Sequence, residues 1–394
     1  MAYRGGHWSR TETPLVPPGV SNGKFEQLVS VSCVSETFCA AVGGIQFRSQ
    51  PRPGVGLLSP RPSQAMVAIF NGASWSFQLL PGSGHLRSVS CATTTLCMAI
   101  GTGSFAAGTS TTKGARSSKR EATAYVYNGR TWAFSKMPSS LVEAHLRSVS
   151  RVSAVFCEAV GRTTSGFQLS AASASNQVAP DKAVIENYNG VRWAAQESAG
   201  RLVASELEGV SCVSAVFCEA VGSGYPVEGI RGVGKRSRLM LGMRRALVEK
   251  FNGISWTSQP DPSSVPPRSQ ELRAVSCSTM TLCEAVGMWG YVRRIAGGPL
   301  TLGYNGKRWL LQGNPLEPPF TVTFFDSYKY VKLLLLFDVS CAGSTCEDGG
   351  TVQPGGEVGH SMSAGSRTIL VEKFPASSLM SRVRVHGSLP RRSG

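Results

Sequence analysis

The sequence predicts an all-β chain, a six-bladed β-propeller of four-stranded antiparallel blades. Three observations predict it. Leu-x-x-Val-Ser-Cys, five residues and then Cys-x-Ala-Val-Gly recurs about every sixty residues, at 28–43, 86–101, 146–161, 207–222, 272–287 and, degraded, 336–349. Between copies stands an aromatic residue, Asn-Gly, two residues and Trp. Glycine (44) and proline (22) are plentiful, as short strands joined by tight turns require. Self-similarity at this period marks one supersecondary unit repeated to bury a shared core.

The repeat at 207–260 shows the elements in order. Residues 207–212 read as a first strand, 213–216 as a turn, and 217–221 as a second strand ended by Gly222. A long irregular segment follows, and then a third strand at 246–251. Asn252 and Gly253 form a hairpin signal, because both residue types tolerate positive φ. Trp256 lies on the fourth strand, which Pro260 ends. The other copies carry Asn71-Gly72 with Trp75, Asn128-Gly129 with Trp132, Asn189-Gly190 with Trp193, and Asn305-Gly306 with Trp309. Four strands in hairpin order make a propeller blade.

The last repeat lacks Asn-Gly and Trp, whereas the N-terminus supplies Gly5, Trp8 and then Pro14, six residues after its Trp as Pro81, Pro138 and Pro315 are after theirs. Residues 1–14 are therefore expected to complete the last blade, which would remove an exposed strand edge. The competing assignment gives that strand to 381–387. The expected organisation is one propeller domain over 1–375, with blades starting near 28, 86, 146, 207, 272 and 336. Residues 376–394, with Arg382, Arg384, Arg391 and Arg392, read as a disordered basic tail.

No apolar run approaches the roughly eighteen residues that cross a bilayer, and residues 1–10 lack the apolar segment of a signal peptide. The cysteines point the other way. Cys33/Cys39, Cys91/Cys97, Cys212/Cys218, Cys277/Cys283 and Cys341/Cys346 each bracket the turn between first and second strands. Cross-strand neighbours are close enough for a disulfide, and repeated pairs favour an oxidising compartment, extracellular or cell-surface. Reduced cysteines serving as small apolar fillers are the alternative. Zinc fits poorly, since the spacing is wrong and the five histidines do not accompany the pairs. Cys157 faces Arg151 where a partner should stand and is expected as a free thiol.

The aromatic-to-Trp spacing, Tyr127 to Trp132 for example, placed after a glycine-terminated strand, resembles Kelch-type propellers. The Asn-Gly turn is loosely similar to the Asp-box of sialidase-like propellers, although the position of the box aspartate holds Tyr127, Tyr188 or Phe251. The paired-cysteine repeat resembles uncharacterised secreted bacterial propeller proteins. These resemblances cover almost the whole chain and imply the fold. They imply no activity, because propellers host many unrelated ones.

The net charge is +16. Most of the surplus falls between second and third strands: Arg48, Arg52 and Arg61; Lys113, Arg116, Lys119 and Arg120; Arg231, Lys235, Arg236, Arg238, Arg244 and Arg245. A propeller would gather these loops on one face, which suits an anionic polymer, a glycan or an acidic protein surface. Solvated loops that merely lack acids are the plain alternative. Sparse aromatic residues there disfavour nucleic acid. Glu158, Glu219 and Glu284 share one repeat position, where they could serve glycan hydrolysis or pair between sheets. His85 and His145 are repeat-equivalent, while His7, His360 and His386 share no catalytic spacing. No nucleophile-elbow, zinc-protease or phosphate-loop motif is found. The expectation is a monomeric, non-catalytic binding module without metal or cofactor; the alternative is a glycan-active hydrolase or lyase.

Overall fold

The structure, a computed structural model, describes residues 2–4, 7–9, 23–47, 63–104, 121–138, 141, 144–163, 181–231, 238–260, 269–291, 294–312, 323–325, 328–330, 333–342, 345–353 and 368–375. Every strand pairing is antiparallel. Two compact units form: Met1–Gly242 with Leu247–Gln259, and Met243–Ala246 with Pro260–Gly394.

The first unit holds four sheets, each of four strands in chain order. The first runs Gly23–Ser35, Phe38–Phe47, Ser63–Phe70 and Trp75–Leu79. The second runs Ser83–Thr93, Leu96–Ser104, Glu121–Tyr127 and Trp132–Ser135. The third runs Ala144–Ser153, Phe156–Thr163, Ala183–Tyr188 and Trp193–Gln196. The fourth runs Val203–Ser214, Phe217–Tyr225, Arg245–Phe251 and Trp256–Ser258. Between its second and third strands, where the sequence reads as irregular, lies a two-stranded ribbon, Val227–Arg231 with Arg238–Leu241. At the N-terminus His7–Ser9 pairs with Ala2–Arg4, Trp8 opposite Tyr3.

The second unit holds a fifth four-stranded sheet, Ser269–Thr279, Leu282–Tyr291, Arg294–Tyr304 and Trp309–Leu311. A short ribbon, Thr323–Phe325 with Tyr328–Tyr330, follows. The sixth repeat forms a three-stranded sheet, Leu333–Ala342, Thr345–Gln353 and Thr368–Pro375. The tail 376–394 lies outside the described residues.

The repeated motif can be read atom by atom. A first strand at the edge of its sheet has backbone N–H groups with no ladder partner, and leaving them unpaired is costly. The serines on either side of the valine in this motif satisfy them one repeat on. Ser30 and Ser32 Oγ accept from Val89 and Cys91 N–H at 3.2 and 3.0 Å. Ser88 and Ser90 accept from Val149 and Arg151, and Ser148 and Ser150 from Val210 and Cys212. In the second unit Ser276 accepts from Cys341 at 2.9 Å. Within each unit, successive first strands therefore lie side by side.

Apolar faces close the same interfaces. Val42, Val67, Leu80, Leu86 and Ala99 pack the first two sheets together. Met98, Ile100, Leu146, Cys157 and Ala159 join the second and third, and Val160, Ile185, Leu207, Ala220 and Leu247 the third and fourth. Ala274, Val286, Val339 and Cys346 do so in the second unit. Each fully buried Val, Leu or Ile contributes about 1.5–3 kcal/mol. The repeated Trp residues are packing residues. Trp193 Nε1 donates to Ser135 Oγ of the preceding sheet at 3.1 Å, and Trp256 Nε1 to Gln196 Oε1 at 2.6 Å.

The Asn-Gly turns differ from the expectation in one respect. The glycine alone takes positive φ, from +86 to +95° at Gly72, Gly129, Gly190, Gly253 and Gly306. The asparagine instead accepts, through Oδ1, the N–H groups two and three residues on, as Asn128 does from Arg130 and Thr131. This is an Asx turn.

Candidate functional site

Each Leu-x-x-Val-Ser-Cys strand contains a β-bulge. The register shifts between Leu28 and Ser30, Leu86 and Ser88, Leu146 and Ser148, Leu207 and Gly209, and Leu272 and Ala274. The extra residue is Val29, Arg87, Arg147, Glu208 or Arg273. The glycine of Ala-Val-Gly stands opposite and has to be glycine. A Cβ on Gly161 would lie 2.1 Å from the His145 carbonyl oxygen, and one on Gly222 1.9 Å from that of Glu206. Bulges bend a strand and re-aim side chains. Here they set a charged residue in the first strands of four sheets, near His85, His145, Glu206 and Glu271.

In the first unit these positions gather an ion-pair cluster. Arg147 lies between Glu206 and Glu208, at 3.7 and 3.5 Å. Arg162, on the neighbouring second strand, reaches Asp181 at 2.7 Å and Glu206 at 3.4 Å. The side chains are partly exposed, from 13% for Asp181 and Glu206 to 32% for Arg162, so they face solvent from one side. The pKa of His85, half-buried, is lowered by burial and then by Arg87. In the second unit Arg244 and Arg273 both bind Glu271. The sequence reading singles out His85, His145 and Arg244 and misses the rest. The signal was the residue after Leu in each repeat, charged in four copies: Arg87, Arg147, Glu208 and Arg273.

The three glutamates singled out from the sequence lie elsewhere. Glu158 and Glu219 are fully buried and Glu284 is 3% exposed. Asn187 Nδ2 donates to Glu158 Oε1 at 2.9 Å, while Glu158 Oε2 has no partner among the described residues. Burial, opposed by Asn187 and reinforced by Glu186, pushes this carboxyl up to about 8. Glu186, raised to about 7 by burial, stands opposite Ala159, whereas Glu158 stands opposite Asn187. Since neighbours in a strand point to opposite faces, the two carboxyls are turned away from each other. Glu249, at the position equivalent to Glu186, is clasped instead: Ser198 Oγ and the Ala199 and Gly200 N–H groups donate to it. Burial outweighs those bonds and raises its pKa.

All five cysteine pairs are disulfides, Cys33–Cys39, Cys91–Cys97, Cys212–Cys218, Cys277–Cys283 and Cys341–Cys346. Each joins directly opposed residues of the first and second strands. Cys157 is free and buried, opposite Arg151. The Arg151 guanidinium lies 5.6 Å from the Tyr188 ring centre and donates Nη2 to the Ala154 carbonyl at 3.2 Å. Its Nε and Nη1 are buried without a hydrogen-bond partner among the described residues, and burial lowers its pKa. Burial raises the Cys157 thiol, a shift Arg151 only partly opposes, so it is no ready nucleophile.

Of the basic residues, Arg231 is exposed on the ribbon with Arg238 opposite it in register. Arg245 is exposed at the start of its strand, and Arg244 is paired with Glu271. Lys235, Arg236, Lys113, Arg116, Lys119, Arg120, Arg48, Arg52 and Arg61 lie outside the described residues, as do His360 and His386. Among the described residues no group of three or more His, Cys, Asp or Glu is placed to hold a metal ion.

No family model and no curated protein matches the sequence. Among solved structures, the chain is similar to the α-L-arabinofuranosidase Arb93A of Fusarium graminearum in complex with an iminosugar inhibitor, at TM-score 0.42 and 10% identity over 91% of this chain and 96% of that one. It is similar to a protein of unknown function from Dyadobacter fermentans, at TM-score 0.43 and 8% identity over 87% and 93%. YCF48 from Cyanidioschyzon merolae is a third, at 0.34 and 12% over 86% and 95%. All three likenesses are weak, and none bears on activity.

Proposed function

We propose that the chain is a non-catalytic binding protein, built as a six-bladed β-propeller closed by its N-terminal strand and working at a cell surface or outside the cell. Its partner is an anionic polymer, a glycan or an acidic protein surface. Serine-stapled first strands and four-stranded meanders support the architecture, and five disulfides suit an oxidising compartment. One observation carries the non-catalytic reading. The repeat-equivalent glutamates are sealed between sheets, and Glu158 and Glu186 turn to opposite faces. Glycan hydrolysis needs two carboxyl groups flanking one bond, roughly 5–9.5 Å apart and reachable by substrate. The excess of basic over acidic residues supports an anionic partner.

A hydrolase or lyase would draw instead on Asp181, Glu206 and Glu208, the partly exposed carboxylates gathered around Arg147 and Arg162. A glycan and polyanion array on the purified protein separates the two readings. Binding to heparin-like polymers or acidic glycans that falls steeply with salt supports the proposal, because exposed charges are screened beyond about 10 Å at 0.1 M. Release of new sugar ends, abolished by Glu206→Gln or Glu208→Gln, establishes the hydrolase. Failure of every polyanion and glycan to bind at low salt overturns the proposal.

A further inference from the structure

One repeat departs from the others at a charged side chain. Five repeats join their first and second strands by a disulfide; in the third sheet Arg151 stands opposite Cys157 instead. A guanidinium keeps its proton in proteins, so a fixed positive charge lies at this position. Arg151 is only 6% exposed, and arginine is seldom buried to that degree without a paired anion.

No group among the described residues supplies that anion. The carboxylates that form ion pairs there are Asp181, Glu206, Glu208 and Glu271, and they serve Arg147, Arg162, Arg244 and Arg273. Glu158 follows Cys157 in its strand and so turns to the opposite face, where it meets Asn187. The Cys157 thiol, raised by burial, keeps its proton. The guanidinium does have the ring of Tyr188, 5.6 Å from its carbon to the ring centre, and one hydrogen bond, from Nη2 to the Ala154 carbonyl. The Tyr188 hydroxyl donates elsewhere, to the Gly190 carbonyl at 2.8 Å. Nε and Nη1, with three N–H donors between them, are buried with no hydrogen-bond partner among the described residues.

The place is close to solvent. Ala154, which accepts from Nη2, and Val155 form the exposed turn between the first and second strands. The Asn189-Gly190 hairpin packs against this turn: a Cβ on Gly190 would lie 3.0 Å from Val155 Cγ1. A shift of two exposed residues would therefore open the guanidinium to solution. Water entering there would meet the donors and leave the charge uncompensated. A singly charged anion meets both, through hydrogen bonds of the stronger, charge-assisted kind. One fixed charge calls for a monovalent ion. The close packing around Cys157, Tyr188 and Trp193 favours a monatomic ion over a bulkier oxyanion.

We propose that Arg151 holds a halide ion, chloride in ordinary solution, through Nε and Nη1 beneath the turn at 154–155. The site is separate from the polyanion reading, which rests on exposed basic residues.

The full chain is unfolded in urea at fixed ionic strength while chloride replaces gluconate. An ion bound only by the folded chain stabilises it by mass action. Above the dissociation constant, each tenfold rise in chloride should therefore raise the folded-to-unfolded ratio tenfold, and bromide should act likewise. Arg151→Met should abolish the halide dependence, whereas Arg192→Met, at an exposed position, should keep it. A wild-type crystal soaked in bromide gives a readout that needs no variant: an anomalous peak within hydrogen-bond reach of Arg151 Nε or Nη1 is expected. Three results overturn the proposal: wild-type unfolding curves that superpose in chloride and gluconate, a halide dependence that survives Arg151→Met, or a bromide-soaked crystal with no anomalous peak beside Arg151.

Discussion

Replacing Arg151 with cysteine should complete a sixth disulfide, because the structure already opposes Arg151 and Cys157 as it opposes Cys91 and Cys97. The bridge would close a loop with the same separation of six residues as Cys91–Cys97. Loop-closure entropy for a loop of that length gives about 2.4 kcal/mol at 25 °C. The guanidinium also leaves, which removes two buried unpaired nitrogens and forfeits the contact with Tyr188 and the bond to Ala154. Those effects are each about 1 kcal/mol and of opposite sign, so the net gain stays near 2 kcal/mol. For a unit of this size that is a rise of about 4–8 °C in Tm. The variant should be folded in a glutathione redox buffer, since the buried thiol is raised and exchanges slowly once packed. Thiol labelling under denaturing, non-reducing conditions should count about one thiol in the wild-type chain and none in the variant. Arg151→Ser separates loss of the guanidinium from gain of the bridge. Two free thiols in Arg151→Cys, or a Tm gain that persists in reductant, would refute the reasoning.

Two more outcomes are expected. Glu158, raised by burial from 4.5 to about 8, keeps a proton in the folded state that the unfolded chain gives up. Its contribution is complete below pH 4.5 and lost as pH rises to about 8, a fall of several kcal/mol at about 1.4 kcal/mol per pH unit. Glu158→Gln should flatten the Tm-against-pH curve by circular dichroism, matching wild type near pH 4.5 and exceeding it near pH 9; parallel curves would show that the carboxyl does not titrate in this range. Deleting residues 1–13 should lower stability in urea by several kcal/mol if Trp8 completes the last blade, core aromatic truncation alone costing roughly 3–5 kcal/mol. Deleting 381–394 should then be near neutral, and the reverse pattern would give the last strand to the C-terminal segment.

What the sequence made legible and what it concealed divide along one physical line. Val-Ser-Cys, Ala-Val-Gly, Asn-Gly and Trp recur because each meets a structural demand that returns from copy to copy: an edge N–H awaiting a serine, a close approach opposite a bulge, a left-handed turn position, a sheet-to-sheet contact. Demands of that kind repeat with the fold and show as periodicity. The charged cluster does not repeat in this way. Val29, Arg87, Arg147, Glu208 and Arg273 occupy one structural position with three kinds of side chain, so a search for identity passes over it. Its meaning appears only once the bulge shows that this residue, unlike its strand neighbours, is freed from pairing. The ribbon was hidden for a different reason. Residues 227–241 contain Gly229, Gly232 and Gly234, and glycine lowers strand propensity, so the segment reads as irregular until Ile230 and Leu239 are seen to oppose each other. In both places the residues that vary among copies, rather than those that recur, are the ones turned outward, where a partner would find them.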